Sequence, residues 1–522
     1  MGKSEDRELA GAPTRTALEI AAGTFGILAL ELSVIRWMSG QIRMFAYFSN
    51  LILMAAFLGM GLGLALGARR PRLVHAVLPA LAVLSAILSF SDRLGLMRLR
   101  FPDPTVLLWG TEARASVSGF AGSAAVVLAL FWLVAAVFVA AGAPVVCRFA
   151  MLPPLRAYSA DLVGSIAGVA AITLLAALDT PPPVWMAVSA LPFLFLSRRL
   201  SSFLAAVAVV ALAALSVRGA LFSPYNRIDL GPLRLPGDGA SRDARDLVLA
   251  VNRDFHQYVL DLSDAAVLAT PPGSPRRAAR ETYDLPFAAH GGRRSVLVVG
   301  AGTGNDVAAA LRHGYDRVVA VDIDPVILGL GARLHPERPY SDPRVVRSVG
   351  DARAFFEQNV SERFDVVCYG LLDSHAMFSA MSSLRLDNYV YTLEGIRAGW
   401  GHVAEGGVLA LSFGTSEPWL VQRLRELVRL GTGQDPVVVR RRGAVSLLAR
   451  RGAVASPPTV PEPAGAAPPS TAGIRIPTDD WPFLYLKPGE IPWAYISVLA
   501  LILATAWVAI RGVYGTALRG RE

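Results

Sequence analysis

Apolar residues fill most of the first ~220 positions, in blocks close to the roughly 20 residues an α-helix needs to cross a bilayer. The pattern predicts helices over about 17–37, 45–67, 73–90, 119–141, 158–178, 182–197 and 200–217, and another over 493–511. The blocks at 73–90 and 182–197 are short for a span. After residue 290 the pattern changes. Short β-branched runs (SVLVVG, RVVAV, VVRSV, DVVCYG and GVLALSF) alternate with helical segments, as in a doubly wound parallel sheet. VVVRRR and VSLLAR read as a closing hairpin. Between the two halves, SPYNRIDL and HQYVLDL are strand-like with polar interruptions. The stretch ASPPTVPEPAGAAPPSTAG cannot pack a core and reads as an extended linker.

These shifts divide the chain into a multi-pass α-helical membrane domain (1–217, about seven helices), a small β-rich subdomain (218–290) and an α/β soluble domain (291–452). A linker (453–477), a tail motif, TDDWPFLYLKPGE (478–490), and a C-terminal helix (491–512) complete it. The polar start, MGKSEDRELAG, and a first apolar block of full spanning length predict no cleaved leader. Gly59, Gly63 and Gly67 recur every four residues, as do Gly164 and Gly168, a spacing that lets helix backbones approach closely. Glu31, Arg36 and Asp161 are ionisable residues in or beside these helices, where charge is costly and marks candidate functional positions.

Composition sharpens this picture. With 53% hydrophobic residues and a mean hydropathy of +0.45, the chain is too apolar for an ordinary soluble protein. The net charge of +9 comes mostly from arginine. Those arginines are dispersed among membrane-flanking loops and over the later domain, so they read as topology signal and solvated surface, not a nucleic-acid footprint. The two cysteines, Cys147 and Cys368, exclude a disulfide scaffold and a cysteine-based zinc site, and no metal is expected.

The candidate chemistry begins at SVLVVGAGTGNDVAAALRHG, a strand, a glycine turn and a helix. Gly300, Gly302 and Gly304 let backbone approach a ligand at the helix N-terminus. Asp322 ends the next strand, where a carboxylate can accept both ribose hydroxyls, and Asp351 follows the third, where an acid can receive an adenine amino group. A dinucleotide fingerprint would want glycine at Asn305, so an S-adenosyl nucleoside suits the pattern better.

VLVVGAGTGNDV, VAVDIDPVI, SVGDARAFF and FDVVCYGLLDS together resemble the spermidine synthase (polyamine aminopropyltransferase) family. FGILALELSVIRW, AFLGMGLGLALG and RAYSADLVGSIAG resemble its membrane-embedded relatives. The resemblance implies a Rossmann-like, class I S-adenosylmethionine-dependent transferase fold preceded by a small β domain. It implies decarboxylated S-adenosylmethionine as donor, or S-adenosylmethionine if the reaction is methyl transfer, and a small-molecule amine as acceptor. Gln257 would contact the donor and Tyr283 would face the substrate. The family's strand-end acids fall on Gly370 and Asp373, its glycine-turn acid on Thr303 and its tyrosine-histidine pair on Tyr283-Asp284. Three departures therefore surround the amine while the nucleoside contacts remain.

VVCYGLLDSHAM places Asp373 and His375 just after the fourth strand, where the sheet presents groups to the ligand crevice. Asp373 is the candidate catalytic acid and His375 a candidate base near neutral pH; a capped polar turn is the plain alternative. Asp387 and Tyr389 border the same crevice, with helix capping an equal use for Asp387. Asp479 and Asp480 read as a structural strap. The expected location is a cell membrane. A cytoplasmic S-adenosyl donor puts the soluble domain inside, whereas loop arginines (Arg69, Arg70, Arg72, Arg148, Arg156, Arg198, Arg199) lean the other way. Rival readings are a methyltransferase on the same fold and a non-catalytic membrane sensor, scaffold or transporter. The lipid bilayer is the expected partner, no nucleic acid is, and homo-oligomerisation stays open.

Overall fold

The computed structural model describes residues 2–99, 117–235, 246–371, 386–415, 417–441, 444–452, 474–486 and 493–519. Its N-terminal half is a bundle of helices: Gly2–Ser39, Ser49–Gly67, Val77–Ser89 (continuing a 3-10 turn, Pro71–Ala76), Val117–Phe149, Pro154–Ala177, Pro182–Ser197 and Leu200–Ser216. Trp493–Arg519 returns to it. Counting the Pro71–Ser89 run as one, six of these segments are long and apolar enough to cross a membrane. Pro182–Ser197 and Leu200–Ser216, at 16 and 17 residues, are shorter. They meet at Arg198 and Arg199 as a hairpin, so the pair returns the chain to the end of the bundle from which it started.

The glycine spacing has a direct packing consequence. A Cβ at Gly59, Gly63 or Gly67 would lie 2.2–2.4 Å from the carbonyl oxygens of Ala135, Val139 and Ala143 on the facing helix. Gly164 and Gly168 approach the carbonyls of Ala21 and Phe25 in the same way, at 2.2 and 2.5 Å. No side chain other than hydrogen fits these crossings.

Polar contacts distinguish the two ends of the bundle. At one end Arg36 donates to the carbonyls of Ser223 (3.1 Å) and Pro224 (2.7 Å), Arg253 pairs with Asp92 (2.5 Å) and Arg43 with Asp254 (3.3 Å). That end carries the soluble half. At the other, Arg148 pairs with Glu19 (2.8 Å), Cys147 donates to the Gly67 carbonyl (3.3 Å) and His75 shares a hydrogen bond with Ser197 (2.7 Å). The arginine-bearing turns after Gly67, Phe149 and Ser197 therefore lie at the end away from the soluble half.

The soluble half opens with a four-stranded antiparallel sheet of β1 (Leu221–Phe222), β2 (Arg227–Pro232), β3 (Leu247–Val251) and β4 (Asp254–Val259). Helices Asp264–Leu268 and Pro275–Ala288 follow it. A seven-stranded sheet comes next: β5 (Ser295–Val299), β6 (Arg317–Asp322), β7 (Val345–Val349), β8 (Phe364–Tyr369), β9 (Val403–Phe413), β10 (Val437–Arg441) and β11 (Ala444–Arg450). Its order is β10-β11-β9-β8-β5-β6-β7, with β5 to β9 parallel and β11 antiparallel to both neighbours. Burial on both faces explains the unbroken apolar runs: Val296 to Val299 and Val366 to Tyr369 are all buried. The chain leaves β5 toward β6 on one side, while β8 pairs on the other. That reversal makes the C-terminal end of β5 the switch point at which open α/β sheets bind ligands.

The tail closes over this domain. Arg353 and Asp479 form a two-pronged ion pair (both contacts 3.0 Å), Thr392 donates to the same carboxylate (2.7 Å) and buried Arg423 donates to the carbonyls of Leu484 and Leu486.

Candidate active site

β5 ends at Val299, and the chain must turn sharply to start the helix Asn305–Arg312. Gly300, Gly302 and Gly304 take φ of +66°, +52° and +108°, where side-chain-bearing residues are strained. The turn is held from three sides. Asp322 at the end of β6 accepts from the Gly302 N–H (2.8 Å) and the Asp324 N–H (2.8 Å) on separate oxygens. Tyr340 donates to the Gly302 carbonyl (2.8 Å), and Gln257 Oε1 accepts from Thr303 N (3.4 Å). Burial pushes the Asp322 carboxyl up to about 6, against the pull of its two backbone donors. Each carboxylate oxygen retains a lone pair for a further donor.

A cavity of about 360 Å³ opens beside the turn. Gln257, Tyr283, Gly300, Asn305, Asp306 and Leu371 are among its lining residues. Asn305 organises the wall between β4 and the glycine turn. Its Nδ2 donates to the Tyr258 carbonyl (2.7 Å) and Tyr283 Oη (3.1 Å), and its Oδ1 accepts from Leu260 N (3.2 Å). His335 Nε2 lies 3.1 Å from the same oxygen. Burial lowers His335 to about 4, and its Nδ1 accepts from Glu337 N, so the neutral ring donates through Nε2. This explains why asparagine, with donor and acceptor on one side chain, stands at position 305.

The structure thus brings Gln257, Tyr283 and Gly300 to one cavity. Asp322 lies on the other side of the glycine turn, joined to it through Gly302. Asp351 takes a second role: its Oδ1 caps the helix Ala352–Gln358 by accepting from Arg353 N (2.9 Å) and Ala354 N (3.0 Å), and it does not line the cavity. Asp373, His375 and the Asp387 side chain lie outside the described residues. Asp284 turns away into a cluster with Arg280, Arg312 (2.8 Å) and His313 (3.7 Å). Burial opposes its ionisation, yet these partners hold its carboxyl down to about 2.

Asp306 is the residue that the sequence reading missed. It is 8% exposed, borders the cavity and approaches the chain at Gly370. The signal was an acid opening an otherwise apolar helical run, NDVAAAL.

An S-adenosyl nucleoside fits these residues. Two buried polar atoms, Gln257 Nε2 and Thr303 Oγ1, have no hydrogen-bond partner among the described residues, and they flank Gly302. Asp322 ends β6 and Asp351 follows the neighbouring strand β7. Among the described residues no cluster of His, Cys, Asp and Glu is arranged to hold a metal ion.

Comparison with known proteins agrees on the class of domain. Residues 280–409 match the Spermine/spermidine synthase domain family. Curated relatives are polyamine aminopropyltransferases. That of Hamiltonella defensa is 32% identical over 87 residues, covering 16% of this chain and 30% of the relative. That of Pyrobaculum calidifontis is 26% identical over 172 residues, 27% of this chain and 60% of the relative. That of Leptospira biflexa is 27% identical over 157 residues, 30% of this chain and 47% of the relative. The chain therefore spans between about a third and three fifths of these relatives. Among solved structures, a spermidine synthase from Thermotoga maritima aligns at 16% identity and a TM-score of 0.32, over 44% of this chain and 70% of its own.

Proposed function

We propose that this chain is a membrane-anchored transferase of the spermidine synthase type. It moves the aminopropyl group of decarboxylated S-adenosylmethionine to an amine acceptor. The observation that carries this reading lies at the C-terminal edge of the sheet: Asp322 and Gln257 brace a glycine turn that borders a cavity, and Asp351 follows the neighbouring strand, inside or beside the stretch that matches the Spermine/spermidine synthase domain.

The chemistry asks mainly for positioning. The amine nitrogen attacks the aminopropyl carbon next to the sulfonium. The N–C bond forms, the C–S bond breaks with its electrons passing to sulfur, and methylthioadenosine leaves as a neutral thioether. One proton must then leave the new ammonium. In this reading Gly300, Gly302, Gly304, Asp322, Asp351 and Gln257 hold the nucleoside and Tyr283 faces the acceptor. Asp373 and His375, which follow β8 in the sequence, are kept as candidates for binding the amine.

Methyl transfer from S-adenosylmethionine on the same fold is the second reading. It is favoured by Thr303, a neutral hydroxyl where a cationic aminopropyl amine would call for a carboxylate. Mass spectrometry on detergent-purified protein, incubated with an amine mixture and either donor, separates the two. Methylthioadenosine formed only from the decarboxylated donor is the expected result. S-adenosylhomocysteine formed instead would establish methyl transfer, and neither product would sink both.

A further inference from the structure

The end of β8 carries a glycine where the cavity wall would otherwise receive a side chain. A Cβ at Gly370 would lie 2.7 Å from Oδ2 of Asp306 and 3.1 Å from its Cγ. The Asp306 carboxylate therefore fills the space that a residue at 370 would occupy. Asp306 reaches it from the opposite element, the first turn of the helix Asn305–Arg312. Among the described residues no cation lies within ion-pair distance of this carboxylate. Its near polar neighbour is the Cys368 thiol, 4.0 Å from Oδ1. Such a buried carboxylate is costly to ionise unless something cationic arrives.

We infer that Asp306 is the group that faces the acceptor amine and takes its proton, a role that rests on the aminopropyl-transfer reading above. As the amine nitrogen bonds to the aminopropyl carbon and the C–S bond breaks, one N–H proton passes to the Asp306 carboxylate and later to solvent. The ligand class follows from the wall. A primary amine offers hydrogen-bond donors to one carboxylate, and Tyr283 and Gln257 border the remaining space.

Several titratable groups face Asp306. Arg312 on its own helix lowers its affinity for a proton, Cys368 on β8 and Tyr340 feel its charge, and His256 and Tyr283 stand around the same cavity. Burial outweighs Arg312 and pushes the carboxyl up to about 7, the range in which a general base works best at neutral pH.

The test moves the acid across the cavity. Methylthioadenosine release from the decarboxylated donor and an amine panel is measured against pH for wild type, Asp306→Asn and the double variant Asp306→Ala/Gly370→Asp, with melting temperatures as the fold check. We expect Asp306→Asn to lose about 100-fold or more in kcat/KM, the usual scale of a lost general base. The double variant should regain at least tenfold over it, with its acid limb displaced from that of wild type. An active wild type with an unimpaired Asp306→Asn would overturn the role of Asp306 and leave the transferase reading standing. A wild type inactive with every amine would overturn both. Should Asp306→Asn fail to fold, the double variant decides: folded but inactive, it removes the proposal.

Discussion

Ser223, whose carbonyl accepts from Arg36 of the helical bundle, donates from Oγ to Oδ2 of Asp324 at 2.6 Å, and so links the bundle to the strand end that carries Asp322. The path is short. Arg36 holds the Ser223 carbonyl, Asp324 N donates to Asp322, and Asp322 accepts from the glycine turn. Asp324 also caps the helix Pro325–Leu334 through Val326 N and Ile327 N. Ser223→Ala leaves a buried carboxylate oxygen without its donor, which costs about 1–3 kcal/mol. We expect a lower melting temperature and weaker methylthioadenosine binding by calorimetry. Unchanged binding in a destabilised variant would confine the bond to a structural role.

Helix crossing in the bundle depends on where a glycine points. Gly63 faces the Val139 carbonyl, whereas a Cβ at Gly61, two residues away, meets nothing within 4 Å. Gly63→Leu should abolish the monodisperse detergent-solubilised protein on size-exclusion chromatography, while Gly61→Leu should elute as wild type. Equal tolerance of both would show that the two helices do not cross as described.

Asp306 carries a stability signature separate from catalysis. Its folded carboxyl is raised to about 7, above the unfolded value, so the folded state binds the proton more tightly. Stability from this group is full at acid pH and is lost as pH rises from about 4 to 7. Asp306→Asn removes the ionisable group but keeps its shape. It should raise the melting temperature at pH 8 more than at pH 5. An equal shift at both would mean that the carboxyl titrates normally.

For the proposed membrane-anchored protein, the side on which the soluble half lies is open to a direct measurement. The arginine turns sit at the end of the bundle away from the soluble half, and the 182–216 hairpin does not alter parity, so loop charge alone would put that half outside. Use of an S-adenosyl donor puts it in the cytoplasm. With Cys147 and Cys368 replaced by serine and alanine, a single cysteine at exposed Leu268 should resist a membrane-impermeant maleimide in intact cells and react after lysis. Reaction in intact cells would follow the arginines and remove a cytoplasmic donor from the proposed function.

Much of this architecture is legible from periodicity. The apolar blocks are read as helices because length and composition leave little else. The strands β5 to β9 are read from β-branched runs, unbroken at the centre of the sheet where both faces are covered and interrupted by Arg347 and Ser348 in the exposed edge strand β7. The glycine turn and Asp322 are equally readable, since close backbone approach and a strand-end acid are local requirements. Asp351 was legible as an acid in the right place, but its cap to Arg353 and Ala354 is a matter of side-chain rotation. Asp306 was legible only as an acid opening an apolar helical run, and its place beside the cavity was not. Its neighbour Gly370 is 64 residues away, and only the pairing of β5 with β8 brings them together.

The sequence by itself therefore determined what depends on local chemistry: the apolar helices, the strands of an α/β half and the glycine turn. Tertiary structure alone decided which carboxylates meet. Asp284 became one member of an arginine cluster, Asp322 a brace for the turn, and Asp306 a buried acid lodged in the space left by Gly370. Charge is the reason. The energy of a carboxylate depends on burial and on partners brought from distant strands, and no spacing along the chain encodes those distances.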